Sequence, residues 1–176
     1  MKLKILAAVA MFGFLQPALA QSPYAGMQQR PIKALSEQQV ADLEAGRGMG
    51  LALAAELNGY PGPSHVLELA DQLKLSAEQK RRIQLLFDAM KAEALPLGKK
   101  LLAEEASLDN AFASRSVTAG DLKEATTQIG ATHAQLRNAH LQYHLETVQI
   151  LSADQVKRYS ELRGYASGAP GHHRHE

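Results

Sequence analysis

The segment HAQLRNAHLQYH, residues 133 to 144, carries three histidines on what its pattern predicts to be one helix. At about 100° per residue, His133, His140 and His144 fall within about 40° of arc, on a single face. His140 and His144 are one turn apart, a spacing that brings two imidazoles to one divalent transition metal such as zinc. His133 lies about 10 Å further along the axis and cannot join them. Two ligands leave a metal incomplete. His65, the tail GHHRHE with its His172, His173 and His175, or a second copy of the chain are the available sources of the rest. Glu146 points away from the pair by more than about a quarter turn and is a poor third ligand. The competing reading is a pair of helix-surface histidines beside a packing seam, followed by a solvated tail, and the residues leave both readings open.

Catalytic patterns are weaker. The run HLQYH has Leu141 where a zinc-protease helix places its glutamate base. The chain has no Cys to serve as a nucleophile, and no G-x-S-x-G occurs. GRGMG, residues 46 to 50, lacks the third glycine of a dinucleotide fingerprint and follows a helical pattern rather than a strand; its small residues suit close helix approach. The reading is of a protein that is not an enzyme and requires no cofactor. A different chemistry is offered by Lys80, Arg81 and Arg82, with Lys99 and Lys100 further on. Such runs are commonly solvated helix faces, but cationic stems beside shallow apolar surface also attract flexible acidic chains.

The elements that position these groups are helical throughout. Ile83, Phe87, Met90, Ala94, Leu97, Leu101, Leu108 and Phe112 recur in steps of three and four, broken only at Glu104, and predict one long amphipathic helix. Pro96 lies inside it and removes a backbone donor, so a kink is expected near residues 92 to 98, loosened further by Gly98. A second long helix is predicted from Thr118 to about Ile150. Its stripe of Leu122, Ile129, Leu136, Tyr143 and Ile150 repeats every seven residues, and the small Ala125, Thr132 and Ala139 let a partner approach. The two should pair as an antiparallel hairpin. Shorter helices are expected from Ser36 to about Leu57, from Ser64 to near Leu73, and from Ser152 to near Gly164. Three helix starts share one word: LSEQQ at 35, LSAEQ at 75 and LSADQ at 151. A hydroxyl followed three residues later by Gln is a capping box, so Ser76 with Gln79 and Ser152 with Gln155 are read as caps, and Leu75 and Leu151 as the apolar staples before them.

The first 20 residues read as a secretory leader: MKLK is cationic, ILAAVAMFGFL is apolar but too short to span a bilayer, and ALA precedes a cleavage point near Ala20. Stable membrane insertion is therefore not expected. Removing Lys2 and Lys4 leaves 17 basic against 18 acidic residues, a balance that argues against a nucleic-acid binder. The remainder has no Cys, no Trp and only two Phe, so it gains no disulfide support and suits narrow helical seams. The division expected is a leader at 1 to 20, a flexible arm at 21 to 34, one helical domain at 35 to 165 and a histidine-rich flexible tail at 166 to 176.

An exported, Cys-free, all-helical chain with LSAEQ opening one long helix and LSADQ opening the last resembles the Spy/CpxP family, whose signature L-T-x-x-Q occurs twice. Here Ser stands for Thr in both copies and keeps the capping hydroxyl. The resemblance spans roughly residues 70 to 165 and makes the fold expectation an all-α, elongated, Spy/CpxP-like hairpin bundle with a kinked long helix. It implies a cradle-shaped homodimer in the periplasm that holds non-native envelope proteins without ATP, or an envelope-stress factor. Lys80, Arg81 and Arg82 are then candidates for client binding. The related ZraP and CnrX groups imply the alternative, a periplasmic protein that binds or senses heavy metals, with His140 and His144 as candidate ligands.

Overall fold

The computed structural model describes residues 22–165, so the leader expected at 1 to 20 and the tail expected at 166 to 176 lie outside the described residues. After a 3-10 turn at Met27–Gln29 come six helices: α1 (Glu37–Glu44), α2 (Leu53–Glu56), α3 (Pro63–Glu68), α4 (Ala77–Ala113), α5 (Ala119–Val148) and α6 (Ala153–Leu162). No strand occurs among the described residues. The long α4 and α5 pack along each other as the expected hairpin, and α1 and α3 lie against α4. In the segment expected as a free arm, Lys33 reaches Asp109 near the far end of α4 at 2.7 Å.

All three repeated words are complete capping boxes. Ser36, Ser76 and Ser152 each accept from the backbone N–H of Gln39, Gln79 and Gln155, whose side chains accept from the serine N–H groups at 2.9, 3.0 and 2.9 Å. Thr118 and Asp121 form a fourth box at the start of α5. Each satisfies backbone donors that the first helical turn leaves unpaired. Two of the boxes also meet. Gln79 donates to the Gln155 amide oxygen at 2.8 Å and Gln155 returns the bond at 3.1 Å. Their remaining protons go to the carbonyls of Ile150 and Leu73 at 3.0 and 3.2 Å. Leu75 and Leu151 are buried beside them with Val66, Leu73, Ile83 and Tyr159. The two words thus form a clasp that ties the start of α4 to the start of α6.

Three expectations need correction. The helix predicted from Ser36 to Leu57 stops at Glu44, because Gly46 takes φ 65 and closes the end: Arg47 N–H bonds to Asp42 O at 2.8 Å and Gly46 N–H to Leu43 O at 3.2 Å. GRGMG is consequently a loop between α1 and α2, and its small residues let that loop approach the long helices: a Cβ on Gly46 would lie 3.3 Å from Leu95 and one on Gly48 3.4 Å from His140. The short helix expected to begin at Ser64 is capped by Gly62, with Pro63 in its first turn, and ends at Glu68. Gly98 does more than loosen a turn: a Cβ there would sit 2.4 Å from the carbonyl oxygen of Leu43, so the glycine is what lets α1 lie on α4. Around Pro96, α4 continues without interruption.

Two apolar clusters result. One holds Val66, Leu73, Leu75, Ile83, Leu151 and Tyr159 at the closed end; the other holds Leu43, Ala94, Leu101 and Leu136 further along the hairpin. Between Leu136 and Leu151, the buried face of α5 includes His140, His144 and Thr147. A polar layer therefore interrupts the apolar seam. Toward the open end burial lapses, and Phe112 is 54% exposed.

Candidate functional site

The polar layer is built where α5 crosses the loops around α2 and α3. His140 and His144 are buried, 3% and 7% exposed, which corrects the expectation of surface histidines. His133, which helical spacing puts on the same arc, is exposed beside the fully buried Thr132 and Leu136. The His144 Nδ1 lies 2.6 Å from the carbonyl oxygen of Tyr60. A carbonyl only accepts, so Nδ1 carries a proton and donates it to Tyr60. Gly62 closes over that edge of the ring: a Cβ there would stand 2.7 Å from Cε1 and 2.8 Å from Nε2. The NGYPGP segment is thus bent by its Pro and Gly residues into a lid that only glycine can seat.

Beneath the lid sits Glu56, 5% exposed. Its Oε2 accepts from Gly62 N–H at 3.3 Å and lies 3.8 Å from His144 Nδ1. Its Oε1 accepts a short hydrogen bond from the Tyr159 hydroxyl. That oxygen also meets His65 Nδ1 at 3.3 Å, off the hydrogen-bond direction, and Arg163 Nε at 3.7 Å. Burial alone would raise the Glu56 carboxyl, but His65, Tyr159 and the charge of His144 outweigh it and hold the pKa at about 2. Burial and the same carboxylate push the Tyr159 hydroxyl far above its usual range. A carboxyl held at about 2 is a weak proton acceptor. Chemically it is the counter-charge that holds α2, α3, α5 and α6 together.

His140 is different. It makes no hydrogen bond among the described residues, and its Nε2 is buried without a partner. Burial, then the neighbouring His144, depress its pKa, so the ring is neutral near neutral pH. The backbone of Gly48 lies against it, a Cβ there falling 3.4 Å from Nδ1. His65, expected as a source of a further metal ligand, turns to Glu56 instead. Among the described residues no three His, Cys, Asp or Glu side chains converge as a metal-binding group. The tail histidines His172, His173 and His175 lie outside the described residues.

The candidate client-binding cations sit at the start of α4. Lys80 pairs with Asp71 at 2.8 Å and Arg81 with Glu78 at 2.7 Å, while Arg82 has no carboxylate within 4.0 Å among the described residues. Leu85, 57% exposed, follows Arg81 and Arg82 by four and three residues and shares their face.

Sequence reasoning found His140, His144 and the caps but missed Glu56, Tyr159 and Arg163. A signal existed in α6, where Gln155, Tyr159 and Arg163 follow one another at intervals of four and mark one polar face that carries a tyrosine. Nothing local marks Glu56, which loops bring to the layer from over 80 residues before His144 in a fold of low periodicity there. Comparison with known proteins adds no relative: no family model, no curated protein and no solved structure matches the chain.

Proposed function

We propose that this chain is an exported, ATP-independent holdase of the Spy/CpxP kind, acting as a periplasmic homodimer on non-native envelope proteins. The observation that carries the reading is Leu85, exposed on α4 with Arg81 and Arg82 one turn before it. Long-range attraction by Arg82, beside an Arg81 that Glu78 already pairs, raises the rate of encounter with acidic, unfolded chains, and the leucine adds weak apolar affinity. Leu145, 56% exposed on α5, and Phe112, at the far end of α4, are further exposed apolar side chains. The twofold recurrence of the L-S-x-x-Q word, and its use as a clasp, supports the same reading through the family resemblance. The test is aggregation suppression by the purified chain of an acidic protein diluted from urea. Suppression should weaken in salt, and the double variant Arg81→Glu with Arg82→Glu should slow capture about tenfold at low salt. No suppression, or suppression indifferent to both salt and the charge reversal, removes the proposal.

The metal-binding alternative draws on one feature, the unpartnered Nε2 of His140 one helical turn from His144. Zinc titration of the same preparation, with His140→Ala as the control, separates the two readings.

A further inference from the structure

The loop at 45 to 50, the α2 and α3 segments and the inner faces of α4 and α5 enclose a pocket of about 550 Å³, a size suited to a small organic molecule. One wall is apolar: Met49, Leu53, Phe87 and Met90 line it. The acid at another wall, Glu56, is already saturated by Gly62, Tyr159, His65 and Arg163 and does not call for a cation. Lys91 and His140 remain uncommitted, and the His65 Nδ1 makes only its off-direction approach to Glu56. Lys91 has no carboxylate within 4.0 Å among the described residues, and its ammonium rests 5.9 Å from the centre of the Phe87 ring. His140 lines the same pocket, is 3% exposed and has no hydrogen-bond partner among the described residues. A buried ring left without a partner is uncommon in a folded protein and points to a group that completes it.

We infer that this pocket binds a small monoanionic amphiphile, a flat apolar body bearing one carboxylate, with Lys91 taking the charge and His140 a polar edge. The flat body is set by Phe87 and the two methionines, whose ring and thioethers pack well against planar apolar groups. A single charge is set by Glu56 and Glu68, which line the same pocket and oppose a polyanion. A cationic ligand is disfavoured by Lys91, the cation of this lining without a carboxylate partner among the described residues, since Arg47 pairs with Asp42 and Arg163 faces Glu56. The Gly46 and Gly50 turns, at φ 65 and φ 79, hold the loop close enough to close one side. The site is separate from the Leu85 surface and does not depend on the holdase reading.

The probe is 2-naphthoate, titrated calorimetrically into the purified chain beside its uncharged analogue 2-naphthamide. One saturable site per chain is expected, with the amide about tenfold weaker. Lys91→Gln should weaken naphthoate about tenfold and leave the amide unchanged. Leu53→Trp, which fills the mouth from a half-exposed position, should abolish binding of both while the unfolding midpoint stays at that of the parent chain. No saturable binding of naphthoate, equal affinity for acid and amide, or affinities untouched by Lys91→Gln or by Leu53→Trp would each overturn the inference.

Discussion

Replacing Glu56 by Gln keeps the shape of the buried side chain and removes only its charge, so it isolates the counter-charge role. In the folded protein the carboxyl falls from 4.5 to about 2, burial opposing and His65, Tyr159 and His144 driving the change. At about 1.4 kcal/mol per pK unit, the folded state favours the carboxylate over a neutral acid by about 3 kcal/mol. The neutral amide should therefore cost about 3 kcal/mol at about pH 7, a large share of the roughly 5–15 kcal/mol that holds a domain together. The sign of the pH dependence follows. A carboxylate depressed on folding contributes its full stability above the unfolded value near 4.5 and loses it as pH falls from there toward 2. Urea unfolding of the parent chain and Glu56→Gln across that range should show a wide gap at about pH 7 that narrows toward about pH 3. A variant within about 0.5 kcal/mol of the parent at neutral pH, or a gap of constant width, would refute the account of Glu56 as an ionised clamp.

Two further outcomes test the scaffold around it. Ser152→Ala should lower stability by about 1 kcal/mol in thermal or urea unfolding, and Ser152→Asp should largely restore it, because a carboxylate also caps the Gln155 N–H. Gly98→Ala should cost about 2 kcal/mol net in the same assay: overlap with the immovable Leu43 carbonyl costs about 3 kcal/mol, and the better helix propensity of alanine returns about 1.

The parts of the fold legible in the sequence are those governed by local rules. Periodicity located α4 and α5, and the hydroxyl-to-glutamine spacing located three helix starts to the residue. What local rules did not carry was the meeting of those starts. The Gln79 and Gln155 amides pair across 76 residues, and no feature of either pentapeptide announces a partner that far away. The break after Glu44 shows the opposite limit. Gly46 was present as a stop signal, yet the apolar spacing on either side reads through it, and only the closing bonds to Asp42 and Leu43 decide for the turn. The candidate site divides in the same way: helical spacing put His140 and His144 together, whereas their burial follows from the loop bearing Gly48 and the lid bearing Gly62, whose paths tertiary contacts set.

A physical consequence follows from the order of these features along the hairpin. The closed end is fastened three times over: by the glutamine clasp, by the apolar cluster around Ile83 and Tyr159, and by the Glu56 counter-charge. The open end is fastened by none of them, and Phe112 and Leu122 lie exposed beyond the last buried residues of α4 and α5. Local opening free energy tracks buried apolar contact, so the two ends of one continuous hairpin differ in how readily they move. A rigid closed end keeps the polar layer and its pocket in register, where a shift of one helical turn would put Leu136 or His144 in the place of His140. The surface of Arg81, Arg82 and Leu85 belongs to that closed end, so the proposed client contact rests on the rigid part of the hairpin, while Phe112 and Leu122 form a separate exposed surface at the yielding end.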